Sequence, residues 1–238
     1  MPNTFPPDTK LPKHLVIIPD GNRRWAKQHH LPTITGHQKG FRVLLDMARA
    51  ARKWGVHTMT LWIFSTENWK RDKQEVDYLM KIEEDMIKKH LPEFKKDGVR
   101  VIHLGRKDRI PKSFKGVLSQ AEKETRKLTN NILNIAVDYG GRDELLRAIA
   151  RIQNSEFRIQ NSDEEKFSKF LDTGDQPYPN PDLLVRTSGE QRTSGLLPWQ
   201  MAYTEFVFIK KHLPACTVDD LKDAIIEYSQ RERRFGGN

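Results

Sequence analysis

The chain has 238 residues, and its 41 lysines and arginines outnumber 32 aspartates and glutamates to give a net charge of +9. This length suits one large domain, and the charge favours anionic partners such as nucleic acid, an anionic membrane or phosphorylated small molecules. The single cysteine, Cys216, excludes an internal disulfide framework and a CxxC metal site. No apolar run is long enough to span a membrane, and the proline-rich start has no signal-peptide core. We therefore expect a flexible arm over residues 1–13, one domain over 14–238, and a cytoplasmic protein.

Strand and helix patterns alternate along the chain. Short apolar runs predict strands at residues 15–19, 58–64, 99–104, 132–137, 182–185 and 206–209. Apolar positions at helical spacing predict helices at residues 41–53, 75–90, 112–128, 144–152, 163–171 and 219–229. Glu83 interrupts the apolar stripe of the second helix, so we expect one end of that stripe to face something other than plain core. The alternation predicts an α/β fold in which helices flank a mostly parallel central sheet of about six strands.

Polar residues follow four of the predicted strands at the point where each strand ends. They lie at residues 20–25, 65–71, 138–142 and 186–194. The carboxyl ends of parallel strands share one edge of the sheet, and ligands bind there in α/β folds. We therefore expect these residues to converge on one site: Asp20, Ser65, Asn68, Arg71, Gly140, Gly141, Arg142, Arg186 and Arg192.

The residue types at this edge indicate phosphate chemistry. Guanidinium groups bind phosphate oxygens bidentately, and three are available at Arg24, Arg186 and Arg192. Two carboxylates, Asp20 and Glu205, suit a magnesium ion that bridges to phosphate. The GxxxxGK[ST] loop, the GxGxxG turn and the nucleophile elbow are missing, which disfavours an NTPase, a dinucleotide enzyme and a serine hydrolase.

Two further features allow more than one interpretation. His37 either assists Asp20 or a diphosphate, or serves as an ordinary structural hydrogen bonder. The methionines and the tryptophan of the second strand and its neighbouring helices either wall an oily cavity or form plain core; they are Met47, Met80, Met86 and Trp62.

Several strings stand out along the chain: PDGNRRWA, GHxxG at 36–40, FSTENWKR at 64–71, DYGGR at 138–142, PDLLVRTSGEQRTS at 181–194, and RRFGG near the end. In this collinear order, over residues 14–237, they resemble the cis-prenyltransferases, which are the undecaprenyl diphosphate synthase family. The resemblance implies a Mg²⁺-dependent homodimer that condenses isopentenyl diphosphate with an allylic diphosphate such as farnesyl diphosphate. The implied product is a Z-polyprenyl diphosphate, which is a lipid-carrier precursor. The resemblance also implies an apolar tunnel that holds the growing chain and sets its length. A lipid product needs an exit, which leaves peripheral membrane contact open, and no nucleic acid is expected as a partner.

The same resemblance assigns roles to individual residues. Asp20 and Asn68 are the expected catalytic residues, and Asp20 and Glu205 are the expected metal ligands. Arg186, Arg192 and Ser194 would hold isopentenyl diphosphate. The other expected substrate-binding residues are Gly21, Asn22, Arg23, Arg24, Trp25, His37, Ser65, Thr66, Glu67, Trp69 and Arg71, of which those at 65–71, with Glu75, lie on a loop and helix that order over the substrates. Arg234 and Gly236, in the terminal RxG, would cross the dimer interface.

The chain departs from the family pattern at five positions. Thr33 stands where family members commonly carry an arginine for the allylic diphosphate, and Arg23, where glycine is frequent, is a candidate replacement. Asp72 stands where proline often follows the loop arginine, and Asp138 where asparagine is usual. Ile63 occupies a tunnel-wall position that is often alanine, so we expect a product shorter than undecaprenyl.

Two other classes of function remain open. A non-catalytic partner subunit of a heteromeric prenyltransferase would share the strings, but such subunits tend to lose the acid and arginines of the first one, and Asp20 and Arg24 are kept here. A nucleic-acid-binding protein would explain the charge, but its basic residues should cluster on helices with aromatic stacking partners.

Overall fold

The computed structural model describes residues 5–156 and 163–232. In these ranges the strands are β1 (His14–Ile18), β2 (Thr58–Ser65), β3 (Val99–Leu104), β4 (Asn131–Tyr139), β5 (Leu183–Arg186) and β6 (Glu205–Phe208). The α-helices are α1 (Asn22–Gln28), α2 (Thr33–Trp54), α3 (Lys73–Lys96), α4 (Lys112–Thr125), α5 (Gly141–Gln153), α6 (Glu164–Ser168) and α7 (Val218–Ser229). Two 3-10 helices lie at Thr66–Lys70 and Leu213–Ala215. Every predicted strand and helix is present, and α1 is an additional helix.

The six strands form one sheet in the order β3-β4-β2-β1-β5-β6, and each neighbouring pair is parallel. This confirms the predicted parallel sheet. Ile17 of β1 lies opposite Leu61 of β2 and Val185 of β5. The register brings the carboxyl ends of these three central strands to one edge, so the loops that follow them face each other.

Both faces of the sheet are covered, and β1 shows this because all five of its residues are buried. Leu15 and Ile17 belong to one apolar cluster, whereas Val16 and Ile18 belong to another. Successive side chains of a strand point to opposite faces. An apolar run without alternation is therefore typical of a strand that is buried on both sides.

Helix α2 begins at Thr33, not at residue 41 as we predicted. Its first two turns contain Gly36 and Gly40, and glycine is a poor helix former. A Cβ atom on Gly36 would lie 2.2 Å from the Asn22 carbonyl oxygen, and one on Gly40 would lie 2.1 Å from Asn22 Oδ1. Only glycine lets α2 approach α1 so closely, and this packing overrides the low propensity.

Other helix boundaries also differ from the prediction. Helix α3 continues through Pro92 to Lys96, and α5 begins at Gly141, not at residue 144. Glu83 lies in the core-facing stripe of α3 and is only 1% exposed. No helix among the described residues is long and apolar enough to cross a membrane.

The described part of the N-terminal arm, residues 5–13, contacts the rest of the protein. The Phe5 ring meets the Trp54 ring edge-on, with 5.1 Å between centroids. The Lys10 amide donates to Ser229 Oγ at 2.7 Å, and the Lys13 amide donates to Asp182 Oδ2 at 2.8 Å. These contacts join residues 5–13 to side chains of α2 and α7 and to the residue just before β5. The division of the chain into an arm and one domain stays a prediction.

Candidate active site

The loops after β1, β2 and β5 surround a cavity of about 920 Å³. Twelve of the predicted site residues line it: Asp20, Gly21, Asn22, Arg23, Arg24, His37, Ser65, Glu67, Asn68, Arg71, Arg186 and Ser194. The wall also has an apolar part, formed by Ile18, Leu31, Phe41, Leu44, Trp62, Ile63, Leu79 and Leu213. The cavity therefore combines a polar region at the sheet edge with an apolar region beneath α2 and α3.

Asp20 lies in the polar region between two guanidinium groups. Its Oδ2 accepts from Arg186 Nη2 at 2.8 Å, and its Oδ1 lies 3.2 Å from Arg24 Nη2. Burial raises the pKa of Asp20, but the hydrogen bond and charge of Arg186, with the charge of Arg24, outweigh burial and bring the pKa below its usual 3.8. The Asp20 carboxylate is therefore ionised at neutral pH.

Gly21 makes the turn from β1 into α1 with a left-handed backbone, at φ 101°. A Cβ atom there would lie 2.4 Å from Ser188 Oγ and 2.7 Å from His212 Nδ1. Ser188 and His212 are hydrogen-bonded to each other beneath this turn. His212 was missed from the sequence because it follows β6 in a string with no motif.

Arg186 is a buried cation, only 4% exposed, at the end of β5. Besides Asp20, it donates through Nη1 to Ser194 Oγ at 2.9 Å and to the carbonyl oxygen of Arg192. Its Nε has no hydrogen-bond partner within the described ranges. Because Arg186 lines the cavity, its guanidinium places a positive charge in the wall, which favours an anionic ligand there.

At the rim of the cavity, Glu190 joins two of the predicted arginines. Arg24 Nη1 donates to Glu190 Oε1 at 2.7 Å, and Arg192 donates to the other oxygen. The Arg192 side chain is 59% exposed and does not line the cavity. The structure thus places Arg186 inside the site, Arg24 at its rim, and Arg192 outside it.

The loop after β2 is a short 3-10 helix over Thr66–Lys70 that points Asn68 toward the cavity. The Ser65 amide donates to Asn68 Oδ1 at 3.0 Å as part of a capping box. Trp69 points away from the cavity, against Phe64, with 5.0 Å between the ring centroids. Thr66 also turns away, toward Gly140, where a Cβ atom would lie 2.4 Å from Thr66 Oγ1.

A charged cluster joins this loop to α1 and α2. Glu75 accepts from Arg71 Nη1 at 3.1 Å, and its carboxylate lies 3.5 Å from His37 Nε2 and 3.8 Å from Arg23 Nη1. Burial lowers the pKa of His37 to about 4, and the nearby Glu75 carboxylate offsets this only in part. His37 is therefore a neutral imidazole at pH 7, and its Nδ1 lies 3.4 Å from Asn22 Nδ2.

Several predicted residues support the site from behind. Trp25 is 7% exposed and stacks on His29, with 4.2 Å between the ring centroids. Gly141 donates its amide to the Gly195 carbonyl oxygen at 2.9 Å. Gly140, Gly141 and Arg142 do not line the cavity, so the expected convergence of four strand ends is wrong. Three strand ends form the cavity, and the loop after β4 packs behind two of them.

Glu205 lies at the amino end of β6, opposite Leu183, whereas Asp20 follows Ile18, which is opposite Arg186. With a rise of about 3.3 Å per residue, Glu205 lies about 10 Å back along the strands from the level of Arg186. Its Oε2 accepts from Arg231 Nη1 at 2.8 Å. The structure therefore does not bring Glu205 and Asp20 of one chain together.

The remaining predicted features are the residues that would cross a dimer interface and the metal site. Arg234 and Gly236 lie outside the described residues. Within the described ranges, no three His, Cys, Asp or Glu side chains are grouped so as to hold a metal ion.

Known proteins match nearly the whole chain, including the residues that line the cavity. The family described as "Putative undecaprenyl diphosphate synthase" matches residues 18–236. An isoprenyl transferase of Bacillus thuringiensis subsp. konkukian is 42% identical over 231 residues, which are 95% of this chain and 89% of that protein. The Micrococcus luteus ditrans,polycis-undecaprenyl-diphosphate synthase ((2E,6E)-farnesyl-diphosphate specific) is 41% identical over 232 residues, with 96% and 92% covered.

A solved structure agrees with these sequence matches. The crystal structure of lavandulyl diphosphate synthase from Lavandula x intermedia, in complex with dimethylallyl diphosphate, superimposes with a TM-score of 0.89 at 35% identity. The superposition covers 95% of this chain and 98% of that one. The range 18–236 contains every residue that lines the cavity.

Proposed function

We propose a reaction for this cavity from the premise that the chain belongs to the undecaprenyl diphosphate synthase family and is a prenyltransferase. In this reaction isopentenyl diphosphate condenses with an allylic diphosphate primer, such as farnesyl diphosphate, to form a Z-polyprenyl diphosphate. Such a product would serve as the precursor of a lipid carrier.

One observation carries this proposal, namely the division of the cavity into a polar and an apolar region. The substrates are divided in the same way, because each joins a diphosphate to a hydrocarbon. Asp20, Arg24 and Arg186 are in the polar region, and Leu44 and Leu79 are in the apolar one. A site for nucleic acid would instead present an exposed basic face with aromatic stacking partners.

The polar residues would bind and orient the two diphosphates. Arg24, Asn22 and the Gly21 backbone would hold the allylic diphosphate, and Arg186 with Ser194 would hold isopentenyl diphosphate. As the allylic C–O bond breaks, its electron pair leaves with the diphosphate, whose growing charge the guanidinium groups stabilise. The alkene of isopentenyl diphosphate attacks the allylic carbon, and loss of one proton forms the new double bond.

We assign Mg²⁺ to Asp20. The Asp20 carboxylate is ionised and its side chain is 29% exposed at the cavity. Mg²⁺ binds through one or two carboxylates with substrate phosphates and water, so this single hard oxygen donor fits it. When bound, the ion would neutralise charge on the diphosphates. Glu205 of the same chain is too far from Asp20 to share the ion.

Asn68, the second proposed catalytic residue, would be positioned by its own loop. Its Oδ1 is used by the Ser65 amide, so its Nδ2 is left to donate to a substrate oxygen. Arg71 would reach the same diphosphate from the end of this loop. His37, neutral at pH 7, would hold Asn22 in place.

The assembly and location of the protein are part of the proposal. Leu146 and Ile149 lie one turn apart on α5 and are 68% and 44% exposed, which supports a homodimer. Leu31 and Ile34 are 40% and 44% exposed near the cavity mouth, which supports peripheral membrane contact. A cytoplasmic location is supported by the free thiol of Cys216, because thiols stay reduced in the cytosol.

A direct assay tests the reaction. The purified chain is incubated with Mg²⁺, labelled isopentenyl diphosphate and either farnesyl or geranylgeranyl diphosphate, beside the variants Asp20→Ala and Asp85→Ala. Asp85 is a matched control because it is 53% exposed on α3 and, among the residues that the structure describes, forms an ion pair only with Lys81, at 2.6 Å. We expect labelled polyprenyl diphosphate from wild type and Asp85→Ala, and none from Asp20→Ala. No product with any primer, from folded protein, would favour the partner-subunit interpretation.

A further inference from the structure

Three residues on one face of α3 extend from the cavity mouth into the core. Glu75, Leu79 and Glu83 are spaced by four residues and so share one face of the helix. Glu75 contacts Arg71 at the mouth, and Leu79 lines the cavity. Glu83 is one turn further inward, among the buried apolar side chains Leu79, Met80 and Ile87.

Glu83 has no hydrogen-bond partner in this position. It is 1% exposed, and neither carboxyl oxygen is bonded within the part of the chain that the structure describes. Burial raises the pKa of Glu83 well above its usual range, and the Arg71 charge offsets this only in part. Burial thus favours the neutral, protonated form of this side chain. Its neighbour Glu84, in contrast, accepts from Ser113 Oγ at 2.8 Å.

The direction of the Glu83 side chain relates it to the cavity. Helical side chains lean toward the helix N-terminus and cover the preceding turn. For Glu83 that turn contains Leu79, which is part of the cavity wall. Glu83 itself does not line the cavity, and neither of its carboxyl oxygens is accessible to water. The acid is therefore, among the described residues, an unpaired polar group one helical turn beyond the cavity wall.

We propose that the Glu83 carboxyl, which lies beyond the apolar cavity wall at Leu79, limits the length of the product. This inference rests on the proposed function and adds a specificity-determining residue to it. A prenyl chain that grows past Leu79 packs against Glu83. Hydrocarbon offers the acid no hydrogen bond, so this contact is less favourable than one with an apolar side chain. The penalty falls only on chains long enough to reach it.

Two variants separate polarity from bulk. Glu83→Met keeps an unbranched side chain of similar length but removes the polar group, and Glu83→Gln keeps the polar group. With one primer and excess isopentenyl diphosphate, we expect Glu83→Met to extend the main product by at least one five-carbon unit, and Glu83→Gln to give the wild-type length. Wild-type product length from a folded and active Glu83→Met variant would overturn the proposal.

A binding series tests the same point without turnover. Saturated prenyl diphosphates of increasing length are titrated into wild type, Glu83→Met and Glu83→Gln by calorimetry. We expect a fall in affinity of at least tenfold beyond a certain length in wild type and Glu83→Gln, and no such step in Glu83→Met. If wild type forms no product in the assay but this step is present, the proposed reaction fails while the role of Glu83 stands. The same step in all three proteins contradicts that role.

Discussion

Trp69 Nε1 donates to Asp138 Oδ1 at 2.8 Å, and this bond ties the loop after β2 to the end of β4. Asp138 is fully buried and also accepts from Arg109 Nε at 2.9 Å. We expected Trp69 to contact substrate, but it lies on the core side of its loop. Its role in this geometry is to anchor the 3-10 helix that carries Asn68. Asp138 provides the acceptor that completes this anchor.

The first prediction concerns this anchor. Asp138→Ala leaves Trp69 Nε1 without an acceptor, and the loop carrying Asn68 loosens. We expect kcat/KM to fall by about tenfold to a hundredfold, since a misplacement of about 1 Å can cost that much. Asp138→Asn keeps an acceptor for Trp69 and should stay near wild type. Equal losses in the two variants would instead assign the effect to the charge pair with Arg109. Steady-state kinetics, with hydrogen exchange over residues 66–71, distinguishes these results.

The sequence was sufficient to predict the central strands β1, β2 and β5 because they are buried over most of their length and are largely apolar. It was not sufficient where a contact between distant segments decides the conformation. Gly36 and Gly40 resemble a loop until α1 is packed against them. Trp69 resembles a ligand contact until Asp138 provides a buried acceptor. Glu205 fits a metal site by residue type alone, and only the register of β5 and β6 shows its distance from Asp20.

The second prediction tests how the chain replaces the arginine expected at Thr33. Thr33 lines the cavity, and so does Arg23, whose side chain is 60% exposed and 3.8 Å from Glu75. If Arg23 holds the allylic diphosphate, Arg23→Gly should raise KM for the primer by about tenfold, the cost of one charged hydrogen bond. Thr33→Arg in that background should restore KM. An unchanged KM in Arg23→Gly would show that Arg23 plays no part.

The third prediction is a loss of stability in acid. The pKa of buried His37 is about 4, below its usual 6.5, so the unfolded chain binds more protons between these values. Stability therefore falls as pH drops from 6.5 toward 4, by about 1.4 kcal/mol per pH unit for this group. His37→Gln should show a slope smaller by that amount in urea unfolding at pH 7, 6 and 5. His14, whose pKa burial also lowers to about 4, keeps its own contribution in the variant. Parallel pH profiles for the two proteins would contradict the buried, neutral state of His37.

The fourth prediction has the opposite sign. The folded-state pKa of Glu83 is raised, so the folded protein binds more protons than the unfolded chain above the usual value of 4.5. Its contribution to stability is full below pH 4.5 and is lost as pH rises toward the folded-state value. Glu83→Gln does not titrate and should become more stable than wild type as pH rises, by about 1.4 kcal/mol per unit in that window. Urea unfolding from pH 4.5 to 8 measures this, and a constant difference between the two proteins would show that the carboxyl is not desolvated.

The fifth prediction concerns Ile63, which lines the cavity and packs against the same apolar cluster as Leu79. Its bulk narrows the apolar region, so Ile63→Ala should lengthen the product, whereas Ile63→Leu keeps the volume and should not. Chromatography of the labelled products, with one primer, gives the lengths. If both Ile63 and Glu83 limit the chain, Ile63→Ala combined with Glu83→Met should lengthen the product more than either change alone, because one removes bulk from the wall and the other removes the polar end. Products of wild-type length from Ile63→Ala would show that bulk at this position does not set the product length. The Glu83 variants would then measure the effect of the polar group alone.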